Sequence, residues 1–328
     1  MKSSMEAYLR NLEDQIPKAL AIGRSLSLPA NLLGFSTVLF CGVGGSSISG
    51  DILRVLFKDR SRMPLVLHQQ GKPIPKWAGR DTLVILSSYS GNTREVLDIF
   101  NEAIRVHARI LAVTSGGELF RLAQSGCAPL IKLPPGMPPR CSIGYLTFSL
   151  FPVLKRLGCF SYGEREIRET IFVIRTVSRT EARRLARRVC GRPLHIYATS
   201  GLMEPAAIRW RTQFAENAKA LVSHRFMPEM FHNEIEGWQF PKKWLGKSVV
   251  LFFKDLNESL SLKRKRKFAR DHIRRQGGQV IEIPTRGQTP LARLFSLIIL
   301  GDWVSYELAR LEHVDPIAIP ILDAIKKI

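Results

Sequence analysis

Cysteine is sparse and scattered in this chain. The five, at positions 41, 127, 141, 159 and 190, form no C-x-x-C pair and no cluster with histidine, so neither a zinc site nor a disulfide framework is indicated. Long apolar runs are also missing. The best, Leu294 to Leu300, is short and runs into Gly301-Asp302, well under the length that crosses a bilayer. The opening Met1-Lys2-Ser3-Ser4-Met5-Glu6 lacks a signal peptide's apolar core, and low-complexity tracts are absent. What remains is a soluble, reduced, cytoplasmic protein whose 328 residues, 45% of them apolar, are enough for two core-forming domains.

Acidic residues are scarce too: 28 Asp and Glu stand against 49 Lys and Arg, a net charge of +21. Two stretches concentrate the excess, Arg179 to Arg188 and Lys263 to Arg275. A nucleic acid or a membrane surface would attract such runs. Neither carries a row of interleaved aromatics of the kind a single-strand groove uses, and solvated helix faces are expected instead. The charge also raises the local concentration of phosphorylated metabolites, which suits a small anionic substrate.

From residue 35 to 158 short apolar runs alternate with helix-like segments. The strands expected are Ser36–Cys41, Leu65–His68, Thr82–Ser87, Ile110–Thr114 and Pro129–Leu133, with helices over Ser47–Phe57 and Thr93–His107. Such alternation, with near-continuous apolar strands, indicates a doubly wound parallel sheet. A helical Cys141–Leu157 region and a basic connecting helix, Ser161–Arg192, follow. The pattern then resumes with strand Leu194–Ala198, helix Glu204–Leu221, strand Val249–Phe253, helix Glu258–Arg275, strand Val280–Ile283 and helix Leu291–Glu312. Two α/β domains of one architecture are expected, 1–158 and 159–328. Ligands in such sheets collect beyond the carboxyl ends of the strands, so the loops there matter most.

Two of those loops are unusual. After the first strand comes Gly42-Val43-Gly44-Gly45-Ser46-Ser47-Ile48-Ser49-Gly50-Asp51. Close glycines and hydroxyls at a helix start suit a pyrophosphate, a sugar phosphate or a plain tight turn. As a dinucleotide fingerprint it is poor, because the second strand ends His68-Gln69-Gln70 where a ribose-binding acid belongs. A P-loop fails as well, since Asp51 stands where lysine is required. After the third strand comes Ser88-Tyr89-Ser90-Gly91-Asn92-Thr93-Arg94-Glu95. Ser88, Ser90 and Thr93 offer three hydroxyls beside a helix N-terminus, a surface suited to one phosphate, although ordinary turn chemistry with Thr93 as N-cap reads the same residues as well.

The order of residues is more specific. Ser-x-Ser-Gly-Asn-Thr-x-Glu after a strand, with Gly-x-Gly-Gly-Ser about forty residues earlier, resembles the sugar isomerase domain, a flavodoxin-like phosphosugar-binding fold. By that resemblance Gly45, Ser46, Ser88, Ser90 and Thr93 hold the phosphate, with Ser47 as an alternative to Ser46. Further blocks follow in order: Pro138-Pro139-Arg140 with Gly144-Tyr145, Ala215-Glu216-Asn217-Ala218-Lys219, His232-Asn233-Glu234-Ile235 with Gly237-Trp238, Gly301-Asp302-Trp303, Asp315-Pro316 and Leu322-Asp323-Ala324-Ile325-Lys326. Taken singly, each has an ordinary structural reading. Together they resemble the bifunctional phosphoglucose/phosphomannose isomerases over most of the chain.

That resemblance implies two flavodoxin-like doubly wound parallel-sheet sugar isomerase domains, a phosphorylated hexose as substrate, no cofactor and no metal. It implies Glu216 as the base that moves a proton between C1 and C2, and Arg140 as the cation that stabilises the oxyanion. It also implies His232, donated across a homodimer interface, as the ring-opening residue, with Lys326 (next to Lys327) assisting. The sequence departs from the family in one place: Ile317-Ala318 follows Asp315-Pro316, where relatives commonly place Thr or Ser, which bears on handling both C2 epimers. Another phosphosugar aldose–ketose isomerase is the alternative within the fold. A phosphosugar-sensing regulator is the alternative outside it, and residues 1–34, with only a turn or two of helical pattern, leave no room for its helix-turn-helix. Membrane and nucleic acid are not expected partners.

Overall fold

The computed structural model describes residues 4–325. It contains two compact units, one from Arg10 to Arg165 and one from Glu166 onward together with the chain before Arg10. The first unit runs past residue 158 because its core does: Phe160 stacks on Phe57 with centroids 5.2 Å apart and meets Phe151 edge-on, and Tyr162 also meets Phe151.

Five parallel strands form the first unit's sheet: β1 (Thr37–Gly42), β2 (Leu65–Leu67), β3 (Thr82–Ser87), β4 (Arg109–Thr114) and β5 (Leu130–Lys132). Their order is β2-β1-β3-β4-β5, the flavodoxin-like arrangement whose switch point lies between β1 and β3. Val38 to Cys41 and Leu83 to Leu86 are all buried, as a strand covered on both faces requires. Helix Arg94–Arg105 buries Val96, Ile99, Phe100 and Ala103, a stripe at helical spacing that packs against Leu39, Val84 and Ala112.

The second unit repeats the plan without a fifth strand. β6 (Leu194–Thr199), β7 (Val222–Met227), β8 (Val249–Lys254) and β9 (Gln279–Pro284) lie in the order β7-β6-β8-β9, every pair parallel. Its two faces carry different elements. Helix Glu204–Ala218 lies on one, where Trp210 meets Phe253 of β8 edge-on at 5.1 Å. On the other, Tyr197 and Phe252 pack with Met230, Trp238 and Ile273.

Three expectations are corrected. The connecting helix over Ser161–Arg192 is two helices, Glu164–Thr176 and Arg179–Val189, because Ser178 adopts an extended conformation at the second helix's N-cap. Helix Glu204–Leu221 stops at Ala218, and the unexpected strand β7 begins at Val222. Lys219 in the left-handed region, φ 55°, makes the break. The N-terminal segment is also more helical than expected, with helices Met5–Arg10 and Leu12–Ser25. The longer one buries Leu12, Ile16, Ala19, Leu20 and Gly23, a regular helical stripe that Pro17 obscures in the sequence. It is a core helix of the first unit, anchored where Gln15 Nε2 donates to the Cys141 carbonyl at 2.9 Å.

Both basic runs are helices, Arg179–Val189 and Leu260–Arg275. Arg183, Arg184, Arg187, Arg188, Lys263, Arg264, Lys265 and Lys267 are exposed. Arg266 is not: it is buried between Glu258 and Glu282. Among the described residues no helix is long and apolar enough to cross a membrane.

Candidate active site

The carboxyl end of the first sheet gathers the expected hydroxyls. Beyond β1, a short turn at Gly44–Ser46 leads into helix Ser47–Phe57. Beyond β3, the 88–93 turn leads into helix Arg94–Arg105. One backbone group joins the two: the Tyr89 N–H donates to Ser46 Oγ at 3.1 Å. Ser88 Oγ accepts from the Gly91 N–H at 3.1 Å and lies 2.8 Å from Thr93 Oγ1. Thr93 stands at the N-cap, yet its hydroxyl caps nothing. It faces Ser88, which sets aside the ordinary capping explanation. A hydroxyl that already accepts an N–H keeps its own proton to donate, so Ser46 is poised as a donor to an anion, and the Ser88–Thr93 pair, one of whose protons joins the two, keeps the other to donate, between two helix N-termini whose partial charge is positive.

Ser90 is exposed and accepts from the Asn92 N–H at 3.3 Å. Ser47 is turned elsewhere, donating to the Gly44 carbonyl at 2.8 Å, so of the two adjacent serines only Ser46 joins the 88–93 turn. Gly91 shapes that turn. Its φ is 73°, and a Cβ there would lie 1.8 Å from the Gly116 carbonyl oxygen, so no other residue fits without moving the chain.

Tyr89 also ties this cradle to the proline-rich loop. Its hydroxyl donates to the Pro134 carbonyl at 2.7 Å and accepts from the Met137 N–H at 3.2 Å. Arg140 follows in a short 3-10 turn, only 3% exposed, and its backbone nitrogen lies 2.9 Å from where a Gly45 side chain would begin. The glycine of the first loop therefore admits the backbone that carries the arginine. Cys41, at the end of β1, is no nucleophile here, because burial pushes its thiol far above the ordinary range. Replacing Ser88 and Thr93 together with Ala and Val, which removes the paired hydroxyls and leaves the fold's core intact, is expected to weaken binding of inorganic phosphate at least about tenfold if each lost charge-assisted hydrogen bond is worth about 1.5–3 kcal/mol. A dissociation constant within about twofold of the parent's would remove the two residues from the candidate site.

In the second unit Glu216 occupies the last turn of helix Glu204–Ala218 and is half-buried. It shares a helix face with Arg209 and Gln213, seven and three residues before it. Both are held by Asp302 of helix Pro290–Leu311: Arg209 makes two hydrogen bonds to its carboxylate, at 2.9 and 2.8 Å, and Gln213 Nε2 a third at 2.9 Å. Asn217 Nδ2 donates to Ser305 Oγ at 2.9 Å one turn further on. The Asp302 carboxylate thus sets the rotation of the helix that presents Glu216. The Gly301-Asp302 pair was legible as a motif, and its partners Arg209 and Gln213 were not.

His232 follows β7 in a 3-10 turn, Glu229–His232, and is exposed. The segment around it is fastened to the other face of the sheet: Glu234 accepts from Arg225 at 2.9 Å and from the Tyr197 hydroxyl at 3.1 Å, and Trp238 Nε1 donates to that same hydroxyl at 2.7 Å. Helix Glu204–Ala218 covers the opposite face. Glu216 and His232 are therefore carried on opposite sides of one sheet in a single chain. Lys326 lies outside the described residues. No group of three or more His, Cys, Asp or Glu that could hold a metal ion occurs among those described.

Residues 178–328 match the family described as the bacterial phospho-glucose isomerase C-terminal SIS domain. Over 326 residues the chain is 33% identical to a bifunctional phosphoglucose/phosphomannose isomerase from Caldicellulosiruptor bescii, covering 96% of both proteins. A protein of the same description from Aquifex aeolicus is 31% identical over 297 residues, 90% of this chain and 91% of that one. Among solved structures, the C-terminal domain of glucosamine-fructose-6-phosphate aminotransferase from Francisella tularensis superposes with a TM-score of 0.73 at 12% identity, covering 97% of this chain and 99% of that one. At that identity the likeness is one of fold.

Proposed function

The chain belongs to the bifunctional phosphoglucose/phosphomannose isomerase family, and on that premise we propose that it interconverts fructose 6-phosphate with glucose 6-phosphate and mannose 6-phosphate. The observation that carries this reading is the cradle in which Ser46, Ser88 and Thr93 converge between two helix N-termini, a place for the dianionic end of the sugar. Ser90 completes it from the exposed side.

Glu216 is the base in this reading. It removes the proton from one of C1 and C2, leaving a cis-enediolate, and returns it to the other. Arg140 supplies the positive charge that the developing oxyanion needs. His232 moves a proton between the ring oxygen and the anomeric hydroxyl to open the sugar, and Lys326 assists. The placement of Glu216 and His232 on opposite faces of one sheet supports a histidine that comes from a partner subunit in a symmetric dimer.

Complementation tests the whole scheme. Assayed on fructose 6-phosphate, with the two aldose products scored separately, Glu216→Gln and His232→Ala are each nearly inactive alone. Dissociated and reassembled in equal amounts, they recover about a quarter of parental turnover, because half the dimers are mixed and each mixed dimer has one intact site. No product from the parent would end the functional reading. No recovery on mixing would place the histidine in the same chain as its base.

A further inference from the structure

Lys219 has no role so far except to end a helix, and it does so in an unfavourable way. Its φ of 55° lies in the left-handed region that glycine occupies far more readily than a long side chain. What holds it there is its ammonium. Lys219 Nζ donates to the carbonyls of Glu216 at 2.8 Å and, more weakly, Asn217 at 3.4 Å, both in the helix's last turn. It also donates to the carbonyls of Asp315 at 2.5 Å and Ala318 at 2.8 Å, almost a hundred residues later. The Asp315–Ala318 strap is itself a tight turn, in which the Ile317 N–H donates to Asp315 Oδ1 at 2.7 Å. From the strap the chain enters helix Pro320–Ile325 and continues to Lys326.

A plain helix cap would need only the first pair of carbonyls. The second pair makes the ammonium a bridge. We propose that Lys219 is a positioning residue for the isomerase reaction: one cation clamps the turn that bears Glu216 to the strap that leads to Lys326, so that the base and the C-terminal segment keep a fixed relation. Lys219 meets backbone oxygens on both sides and so acts through them. The proposal rests on the reading of Glu216 as the base.

Lys219→Gly separates the clamp from the cap, since glycine relieves the left-handed strain and caps the helix by itself while removing every donor. The variant should fold and melt at or above the parental temperature. Backbone hydrogen exchange over residues 315–325 should accelerate at least about tenfold, the local opening expected when a fastening is lost. Turnover of fructose 6-phosphate should fall at least about tenfold, while inhibition by inorganic phosphate stays within about twofold, a loss in kcat with binding spared. Lys219→Arg, which keeps a cation with donors, should recover part of both losses. Unchanged exchange over 315–325 overturns the clamp whatever the activity does. Faster exchange with turnover within about twofold of the parent overturns the positioning role. A failure of the base assignment is recognised separately, by a Glu216→Gln variant that still turns over.

Discussion

Glu216→Gln lowers kcat on fructose 6-phosphate by about 10²–10⁴-fold, the usual contribution of a positioned base, and moves KM by no more than about threefold. Glutamine keeps the size and hydrogen-bonding reach of the side chain but cannot take the proton from carbon. The helix is held by Asp302, Gln213 and Asn217 through other positions, so the change leaves the last turn where it was. The hydroxyl cradle proposed for the phosphate lies in the first unit and does not include residue 216. Steady-state rates with a coupled dehydrogenase, read beside the inhibition constant of inorganic phosphate, check both halves. Turnover within about tenfold of the parent, or binding lost along with turnover, would make Glu216 structural.

The second large effect is on stability. Asp302→Ala costs about 3–5 kcal/mol, because it removes the carboxylate that faces the buried Arg209 guanidinium. The side chains of the pair are 2% and 3% exposed, and Gln213 loses its acceptor in the same step. The denaturant midpoint in urea falls accordingly, with the slope unchanged if the transition stays two-state. Arg209→Met combined with Asp302→Leu recovers most of the loss, since apolar side chains of similar volume commonly replace a buried ion pair without penalty. A single Asp302→Ala change within about 1 kcal/mol of the parent would mean that water reaches the pair and that it carries little.

The sheets were largely legible because their strands are apolar on both faces. Leu83 to Leu86 and Val249 to Phe253 are runs that no amphipathic helix would contain, and the structure returns them within a residue of the expected ends. β7 escaped because Val222-Ser223-His224-Arg225-Phe226-Met227 mixes polar and apolar residues, as an edge strand covered on one face by a loop permits. The helix Leu12–Ser25 escaped because Pro17 interrupts a stripe that tertiary packing completes. The hydroxyls of the cradle could be picked out from their spacing after the strands, but not which of them converge: only the folded chain separates Ser46 from Ser47, or pairs Ser88 with Thr93. The buried Arg209–Asp302 contact lies beyond sequence reasoning, since 93 residues separate the two and the Gly301-Asp302 motif does not say what its carboxylate meets.

The two sheets share a plan, yet their carboxyl ends are furnished differently. Where the first gathers hydroxyls, the corresponding end of the second is closed by ion pairs and internal bonds: Arg293 meets Asp255 at 2.9 Å, and Thr285 Oγ1 donates to that same carboxylate at 3.1 Å. The proposed mooring for ligand lies in one half, and the other closes the matching place with its own side chains. Grafting a hydroxyl for Asp255 or for Arg293 alone would therefore not simply add a second berth, because the carboxylate or guanidinium removed strands its counterpart inside the protein. Retargeting this scaffold to another phosphorylated carbohydrate is better begun from the unsealed half.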